Sequence, residues 1–298
     1  MKKLPRFYET QTARAALSAL VLILFWGAVI AEYWPDLAAA GLRLANAARS
    51  GGAETVESRY FEISSTSNAG SEQLAALVSE LEAQVEALSD YLDAEPGAAA
   101  GVGAAEKIRV LIVNGRGLAL MDGAQITIPY ENGCMESSLV PLYLVFFIEG
   151  LELRPAGGLV PAAGFALHAV EAAGLGGELT RQPLDHWAAL LRQNGDYLPL
   201  EQAWTMSVPD NDSGAARFMR AALEAGSFMG WVSRQYGFET ARAAARGAPA
   251  GGELQALTGK SLAQMEAEWL RWLDAQPVTP QPCASVIDKT SELFLLCR

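Results

Sequence analysis

Two apolar runs on either side of a turn constrain the fold of this chain more than any other part of its sequence. They span residues 140–153 and 159–170, and each is long enough for about three helical turns. Residues 155–158, Pro-Ala-Gly-Gly, form the turn between them. We therefore expect a buried helical hairpin with few groups that could carry chemistry. Its ionisable side chains are those of Glu149, Glu152, Arg154, His168 and Glu171.

An uncharged segment near the N-terminus predicts a membrane anchor. Residues 15–31 carry no charge, basic residues predominate before them, and Glu32 and Asp36 follow. By the positive-inside rule, this charge distribution places the N-terminus in the cytoplasm and the rest of the chain outside.

Cleavage by a signal peptidase is the alternative, because Val29 and Ala31 are small residues at the positions that the enzyme reads. We favour an uncleaved anchor, since Tyr33 and Trp34 suit the membrane interface and a helical pattern resumes after them. The expected organisation is a cytoplasmic N-terminus (1–14), a single span of the cytoplasmic (inner) membrane (15–34), a helical linker (35–58), a periplasmic or extracytoplasmic domain (59–275) and a C-terminal tail (276–298).

The charge of the exported part argues against nucleic acid as a partner. The whole chain has a formal charge of −12, and residues 1–31 carry four basic side chains and one acidic side chain, which leaves −15 on residues 32–298. Such a surface repels phosphate groups. We expect the partners to be the membrane, through residues 15–34, and an envelope protein or peptide.

Three cysteines would meet an oxidising compartment outside the membrane. Cys283 and Cys297 close a loop of about 15 residues, for which chain entropy gives a stabilisation of about 3 kcal/mol. We predict a disulfide between them that pins the tail. Cys134 is left over, as a buried thiol or an intermolecular link.

The periodicity of apolar residues predicts an α+β fold, with a small mixed or antiparallel sheet and a mainly helical C-terminal half. The expected strands are residues 59–63, 108–113 and an antiparallel edge pair, 117–120 and 124–128, that Pro129 ends. The expected helices are Ser71–Leu92, the hairpin, residues 183–194, 198–203 and 214–236, and a last helix that begins with a capping box at Ser261 and Gln264. Gly226 and Gly230 should let a neighbour approach the helix at 214–236 closely. The last helix should bury Leu262, Met265, Trp269 and Trp272.

The order of these elements, together with two C-terminal segments, resembles the peptidase MA-like domain of gluzincin-type metallopeptidases. The segments are GSFMGWVSRQYG (226–237) and LTGKSLAQMEAEWLRWL (257–273), and the likeness spans residues 59–274. Gly259, Ser261, Glu266 and Trp269 fall in register with the G-x-S-x-x-x-x-E-x-x-W pattern of the family's closing helix. The resemblance implies a zincin-like fold.

The zinc ligands of that family are missing at the matching positions. The resemblance places the His-Glu-x-x-His motif near Tyr143-Leu-Val-Phe-Phe147 and the zinc-binding Glu at Ala163. His168 is the first histidine of the chain, so no alternative alignment restores the motif. We expect a peptidase-like domain without a catalytic metal or another cofactor, in which Tyr143, Phe147 and Ala163 mark the degenerate site.

Several other ionisable residues are candidates for a metal site or for catalysis, and each also has an ordinary structural interpretation. His168 and Glu171 lie three apart on a helix and, with His186, form a candidate metal site or polar cleft. A hydrogen bond of His168 within the Ala-rich helix pair is the simpler interpretation. Glu149 and Glu152 on one helix face are candidate paired carboxylates, but a solvated edge or a bond to Arg154 is favoured.

Two functions follow. The first is a catalytically inactive, membrane-anchored binding or scaffold module of the cell envelope. The alternative is a hydrolase of unrecognised chemistry that uses His168 and Glu171. A purely structural envelope subunit is a third interpretation.

Overall fold

The computed structural model describes residues 54–94, 107–116, 119–123, 125–152, 155, 158–176, 182–207, 212–246 and 251–276. Contacts between residues divide the chain at Ala53 and Glu54, and all the described ranges belong to the second unit. The predicted anchor, the predicted disulfide and the tail lie outside these ranges. None of the helices in the described ranges is both long enough and apolar enough to cross a membrane.

The fold is α+β with a mixed sheet, as the sequence predicts. The strands are β1 (Glu54–Glu57), β2 (Phe61–Ser65), β3 (Ile108–Asn114), β4 (Leu120–Asp122), β5 (Gln125–Glu131) and β6 (Cys134–Met135). The helices are α1 (Ser71–Leu92), α2 (Val140–Glu149), α3 (Val160–Ala172), α4 (Leu184–Asn194), α5 (Leu200–Ala203), α6 (Asp212–Tyr236), α7 (Phe238–Arg246), α8 (Gly252–Thr258) and α9 (Leu262–Asp274).

The strands lie in the order β1-β2-β3-β5-β4, and β6 also pairs with β5. The pairs β2–β3 and β3–β5 are parallel, whereas β1–β2, β4–β5 and β5–β6 are antiparallel. Helix α1 makes the crossover between β2 and β3, and packs on β1 and β2. Parallel pairing therefore forms the centre of the sheet, and antiparallel strands form both edges.

Several details of the predicted sheet are wrong, among them the strand expected at 117–120, since β4 runs from Leu120 to Asp122. Residues 54–57, assigned to a helical linker, form β1. The strand expected at 59–63 begins at Phe61 and ends at Ser65. Pro129 does not end β5, which continues to Glu131 and lies inside the sheet between β3 and β4. Proline is tolerated there because the strand's neighbours change at this point, from β4 at residues 125–127 to β6 at residues 130–131.

The hairpin forms as expected, but its first helix is shorter than the apolar run. Helix α2 ends at Glu149 because Gly150 adopts a left-handed conformation, with φ of 61°. Helix α3 is buried along the whole of residues 160–170 and packs against α1, α2, α6 and α7. Its apolar sequence on all sides suits this central position.

Helices α3 and α6 approach closely because both carry small residues. A Cβ atom on Gly164 would lie 2.5 Å from the Cβ atom of Ala225, and one on Gly230 would lie 3.1 Å from Nδ1 of His168. The sequence predicts such an approach at Gly226 and Gly230, and the structure confirms it. Gly164 is a further contact point on the opposite helix.

For the C-terminal helices, the sequence predicts one cap correctly, but it misses two helices and misjudges the burial of one side chain. Ser261 caps α9 as predicted: its hydroxyl accepts from the backbone of Gln264, whose side chain accepts from the Ser261 backbone. Helices α7 and α8 were not expected. Trp272, predicted to be buried, is only partly so, and the guanidinium of Arg234 lies 4.7 Å above its ring.

Candidate functional site

The positions that the resemblance assigns to a zinc site hold aromatic and apolar side chains. Tyr143 and Phe147 lie one turn apart on α2 and are half-buried, and Ala163 lies in the first turn of α3 with 4% of its surface exposed. The Tyr143 hydroxyl donates to the carbonyl oxygen of Ala119 at 2.8 Å, and burial raises the pKa of Tyr143 to about 12. The phenol is therefore a neutral link between α2 and the segment before β4.

The only carboxylate of α2 is occupied by internal ion pairs. Glu149 is 2% exposed, and its two carboxylate oxygens accept from Arg242 at 2.8 Å and from Arg246 at 2.7 Å. The expectation of a solvated edge, with Glu149 and Glu152 on one helix face, is therefore wrong. Glu152 is exposed and lies beyond the end of α2.

This ion-pair cluster also fixes the end of another helix. Arg242 donates to the carbonyl oxygen of Leu92, the last residue of α1, and lies 4.8 Å above the ring of Phe238. Arg246 donates to the backbone carbonyl of Glu149 at 3.1 Å. One buried charge therefore connects α1, α2 and α7, which is a structural role rather than a catalytic one.

His168 and Glu171 form hydrogen bonds with different partners. Nε2 of His168 lies 3.1 Å from the hydroxyl of Tyr91 on α1, so the expected hydrogen bond inside the hairpin is wrong. Burial, assisted by the nearby charge of Arg234, lowers the pKa of His168 to about 4. Glu171 accepts from the backbone N–H of Leu184 at 2.7 Å and holds the start of α4.

The third residue of the candidate metal set does not complete a site. His186 is half-buried, and its buried Nε2 atom has no hydrogen-bond partner among the residues that the structure describes. In the described ranges, no three His, Cys, Asp or Glu side chains are grouped so that they could hold a metal ion. Nε2 of His168 is engaged with the Tyr91 hydroxyl and one Glu171 oxygen with the Leu184 backbone, so the two side chains do not face a common point.

The structure contains a polar cluster that the sequence analysis missed. Glu224 on α6 is fully buried, and its carboxylate accepts from the backbone N–H of Leu198 at 3.1 Å. Glu266 on α9 accepts from the Tyr197 hydroxyl and from the backbone N–H of Leu200 at 2.8 Å. Burial raises the pKa of Glu224 to about 8, against the effect of the Leu198 hydrogen bond. In the sequence, only an acidic residue inside an apolar helical face indicates this polar cluster.

A second missed group connects α4, α6 and α9. Asp185 accepts from the Ser227 hydroxyl at 2.6 Å and from Arg234 at 3.2 Å, and Trp269 donates to the same hydroxyl at 3.3 Å. Ser227 is 1% exposed. These contacts join helices rather than open a cleft.

Cys134 lies on β6 and is exposed with a free thiol. The expectation of a buried thiol is therefore wrong, and the intermolecular link stays a prediction.

Comparison of the chain with family models, with curated proteins and with solved structures found no match.

Proposed function

We propose that the domain is a non-catalytic, peptidase-like binding module with a zincin-like fold, anchored by residues 15–34 and displayed outside the cytoplasmic membrane. The observation that carries the proposal is the composition of α2. This helix would bear the metal-binding motif, but it offers Tyr143 and Phe147, and its one carboxylate, Glu149, is neutralised internally. A tetrahedral zinc site needs three protein ligands that point at one ion.

The arrangement of the elements supports the peptidase-like part of the proposal. The crossover β2-α1-β3, the antiparallel β4–β5 pair and the hairpin α2–α3 follow one another in the order that the resemblance implies. Residues of the C-terminal pattern also have defined places: Ser261 caps α9, Glu266 holds the turn before α5, and Trp269 is buried. These roles preserve a fold and require no metal.

The surface where β4 meets α2 has the properties of a binding site for an extended peptide. Leu120 is 55% exposed on β4, and the outer edge of this strand pairs with no other strand of the described ranges. Unpaired edge groups accept a further strand, while side-chain pockets give specificity. The half-buried ring of Tyr143 stands beside this edge, since its hydroxyl donates to the carbonyl oxygen of Ala119, and Phe147 follows one turn later on α2. We propose that an envelope protein presents an extended segment here.

A matched pair of substitutions tests this surface. Leu120 and Leu257 are both 55% exposed, but Leu257 lies on α8. The full chain, extracted from membranes, is purified as wild type, Leu120→Arg and Leu257→Arg, and co-purifying proteins are quantified by mass spectrometry. We expect Leu120→Arg to reduce the bound partner at least tenfold and Leu257→Arg to retain it. Equal binding by both variants would exclude the β4 edge.

Metal content and proteolysis test the absence of catalysis. We expect the purified protein to hold no stoichiometric zinc and to cleave neither casein nor a peptide library, because Ala163 and the Tyr143–Phe147 turn offer no ligand. One equivalent of zinc bound at micromolar affinity or tighter, and lost in His168→Ala, would refute the proposal.

The anchoring part has a separate test. N-terminal sequencing of the protein from membranes should find the bond between Ala31 and Glu32 intact. A chain that begins at Glu32 would show that the segment is a cleaved signal peptide.

A further inference from the structure

The turn between α4 and α5 is held by two carboxylates from different helices. Glu224 on α6 accepts from the backbone N–H of Leu198 with both oxygens, at 3.1 and 3.3 Å. Glu266 on α9 accepts from the backbone N–H of Leu200 and from the hydroxyl of Tyr197. Residues 196–199 are thus attached to two helices through acidic groups rather than through apolar packing alone.

Few charges compensate these acids. The charged groups of the described chain that act on Glu224 are Arg220 on its own helix, Glu266 on α9 and Asp196 in the turn. Arg220 lies 3.3 Å from Asp196, and Arg192 on α4 is paired with Asp274 at 2.7 Å. An ionised Glu224 would therefore add a buried charge beside two other acids, with one nearby cation that is already shared.

We propose that Glu224 is a pH-sensitive latch, which holds the turn between α4 and α5 when its carboxyl group is protonated and favours release of the turn when it is ionised. A released turn lets water reach the carboxylate. The neutral acid needs no such hydration, and its carbonyl oxygen still accepts from Leu198.

The direction of the pH effect follows from the pKa of Glu224. In the closed state burial raises this pKa from 4.5 to about 8, and hydration in the open state returns it towards its ordinary value. Between these two values the closed state binds more protons, so a rise in pH favours opening. The open population increases by up to about tenfold per pH unit and roughly a thousandfold over the whole interval.

The latch connects to the core through the backbone after α5. The N–H of Leu159, which precedes α3, donates to the carbonyl oxygen of Met206 at 2.7 Å. Gly158 is packed so closely that an added Cβ atom would lie 2.4 Å from the carbonyl oxygen of Trp204. Release of the turn therefore loosens the segment that supports the start of α3.

Hydrogen exchange of the full chain, read by mass spectrometry on peptides that cover residues 196–204, measures the opening. Exchange is recorded from pH 5 to 9 and corrected for the intrinsic rate at each pH. We expect wild-type protection to fall between pH 5 and 8 and to level off above. Glu224→Gln, which mimics the protonated group, should keep the low-pH protection throughout.

Two further variants make the outcome specific. Glu268→Gln, on the same helix as Glu266 but half-buried in a pair with Lys260, should retain the wild-type pH dependence. Glu266→Gln removes a charge that raises the pKa of Glu224 in the closed state, so protection should level off at a lower pH and fall less in total. Constant wild-type protection across this range, or an unchanged slope in Glu224→Gln, would overturn the proposal. The wild-type and Glu266→Gln profiles decide it even if Glu224→Gln does not fold.

Discussion

Replacement of Arg242 by methionine should destabilise the protein more than replacement of Arg246, the other arginine that pairs with Glu149. Arg242 is 15% exposed, and it faces a Glu149 side chain of which none is exposed. The variant leaves this carboxylate with Arg246 alone, which is 48% exposed. It also removes the donor to the carbonyl oxygen of Leu92 at the end of α1.

Loss of one partner of a buried ion pair costs about 3–5 kcal/mol. Because Arg246 still screens the carboxylate from one side, we expect about 3 kcal/mol for Arg242→Met. Arg246→Met should cost about 1–2 kcal/mol, because water can replace its half-exposed guanidinium. Glu149 lies at the C-terminal end of α2, where the helix dipole opposes a negative charge. This unfavourable interaction contributes to the loss of stability in both variants.

The double variant Glu149→Met, Arg242→Met distinguishes an ion pair from ordinary packing. With both charges removed, the unpaired buried carboxylate no longer exists, so the double variant should cost less than Arg242→Met alone plus Glu149→Met alone, by about 2 kcal/mol. Urea denaturation followed by circular dichroism gives each free energy of unfolding, with the exposed Arg271→Met as a surface control. Additive costs, or a cost of Arg242→Met below about 1 kcal/mol, would refute the reasoning.

Two other predictions concern the helix contact and the tail. Gly164→Ala should cost about 1–2 kcal/mol, because the new Cβ atom would lie 2.7 Å from the backbone carbonyl carbon of Ala225, and only part of the strain is offset by alanine's helix propensity. Gly226→Ala should cost less, since its nearest contact, at 3.0 Å, is the end of a leucine side chain. Cys283 and Cys297 should resist alkylation until reductant is added; label on Cys283 without reductant, or its recovery joined to Cys134, would contradict the disulfide.

Regular periodicity explains which elements could be predicted. Helix α1 has the bounds expected from its sequence, because buried leucines recur at steps of three and four along it, as at Leu74, Leu77 and Leu81. The capping box of α9 is equally local, since Ser261 and Gln264 satisfy each other. Such elements depend on residues within a few positions.

The missed elements depend on contacts that sequence spacing does not reveal. Strand β1 is only four residues long, and two of them are glutamates. Its own residues do not predict a strand, and its pairing with β2 is what makes it one. After Phe238 at its first position, helix α7 buries only alanines, Ala241, Ala244 and Ala245, so large apolar residues do not recur along it to mark a helical face.

The same limit applies to the candidate site. Glu149 and Arg242 are 93 positions apart, and the sequence places nothing between them that would indicate a contact. His168 and Tyr91 are separated by 77 positions. Local reasoning therefore paired Glu149 with Glu152 and Arg154, its nearest charged neighbours, and missed the partners that folding supplies.

In the peptidase-like fold that we propose, the buried ion pair and the apolar residues at the expected zinc positions would let the structure persist without a metal. A zinc site places polar ligands from two helices around one ion, and the ion satisfies them. Here Ala163 lies on the central helix α3 with 4% of its surface exposed. The carboxylate of Glu149, at the C-terminal end of α2, is paired with Arg242 of α7. The contact between α2 and α3 is therefore apolar, and the protein charges attach α2 to α7 instead. In the proposed binding module, the partner would then bind at the β4 edge beside α2 rather than at a metal.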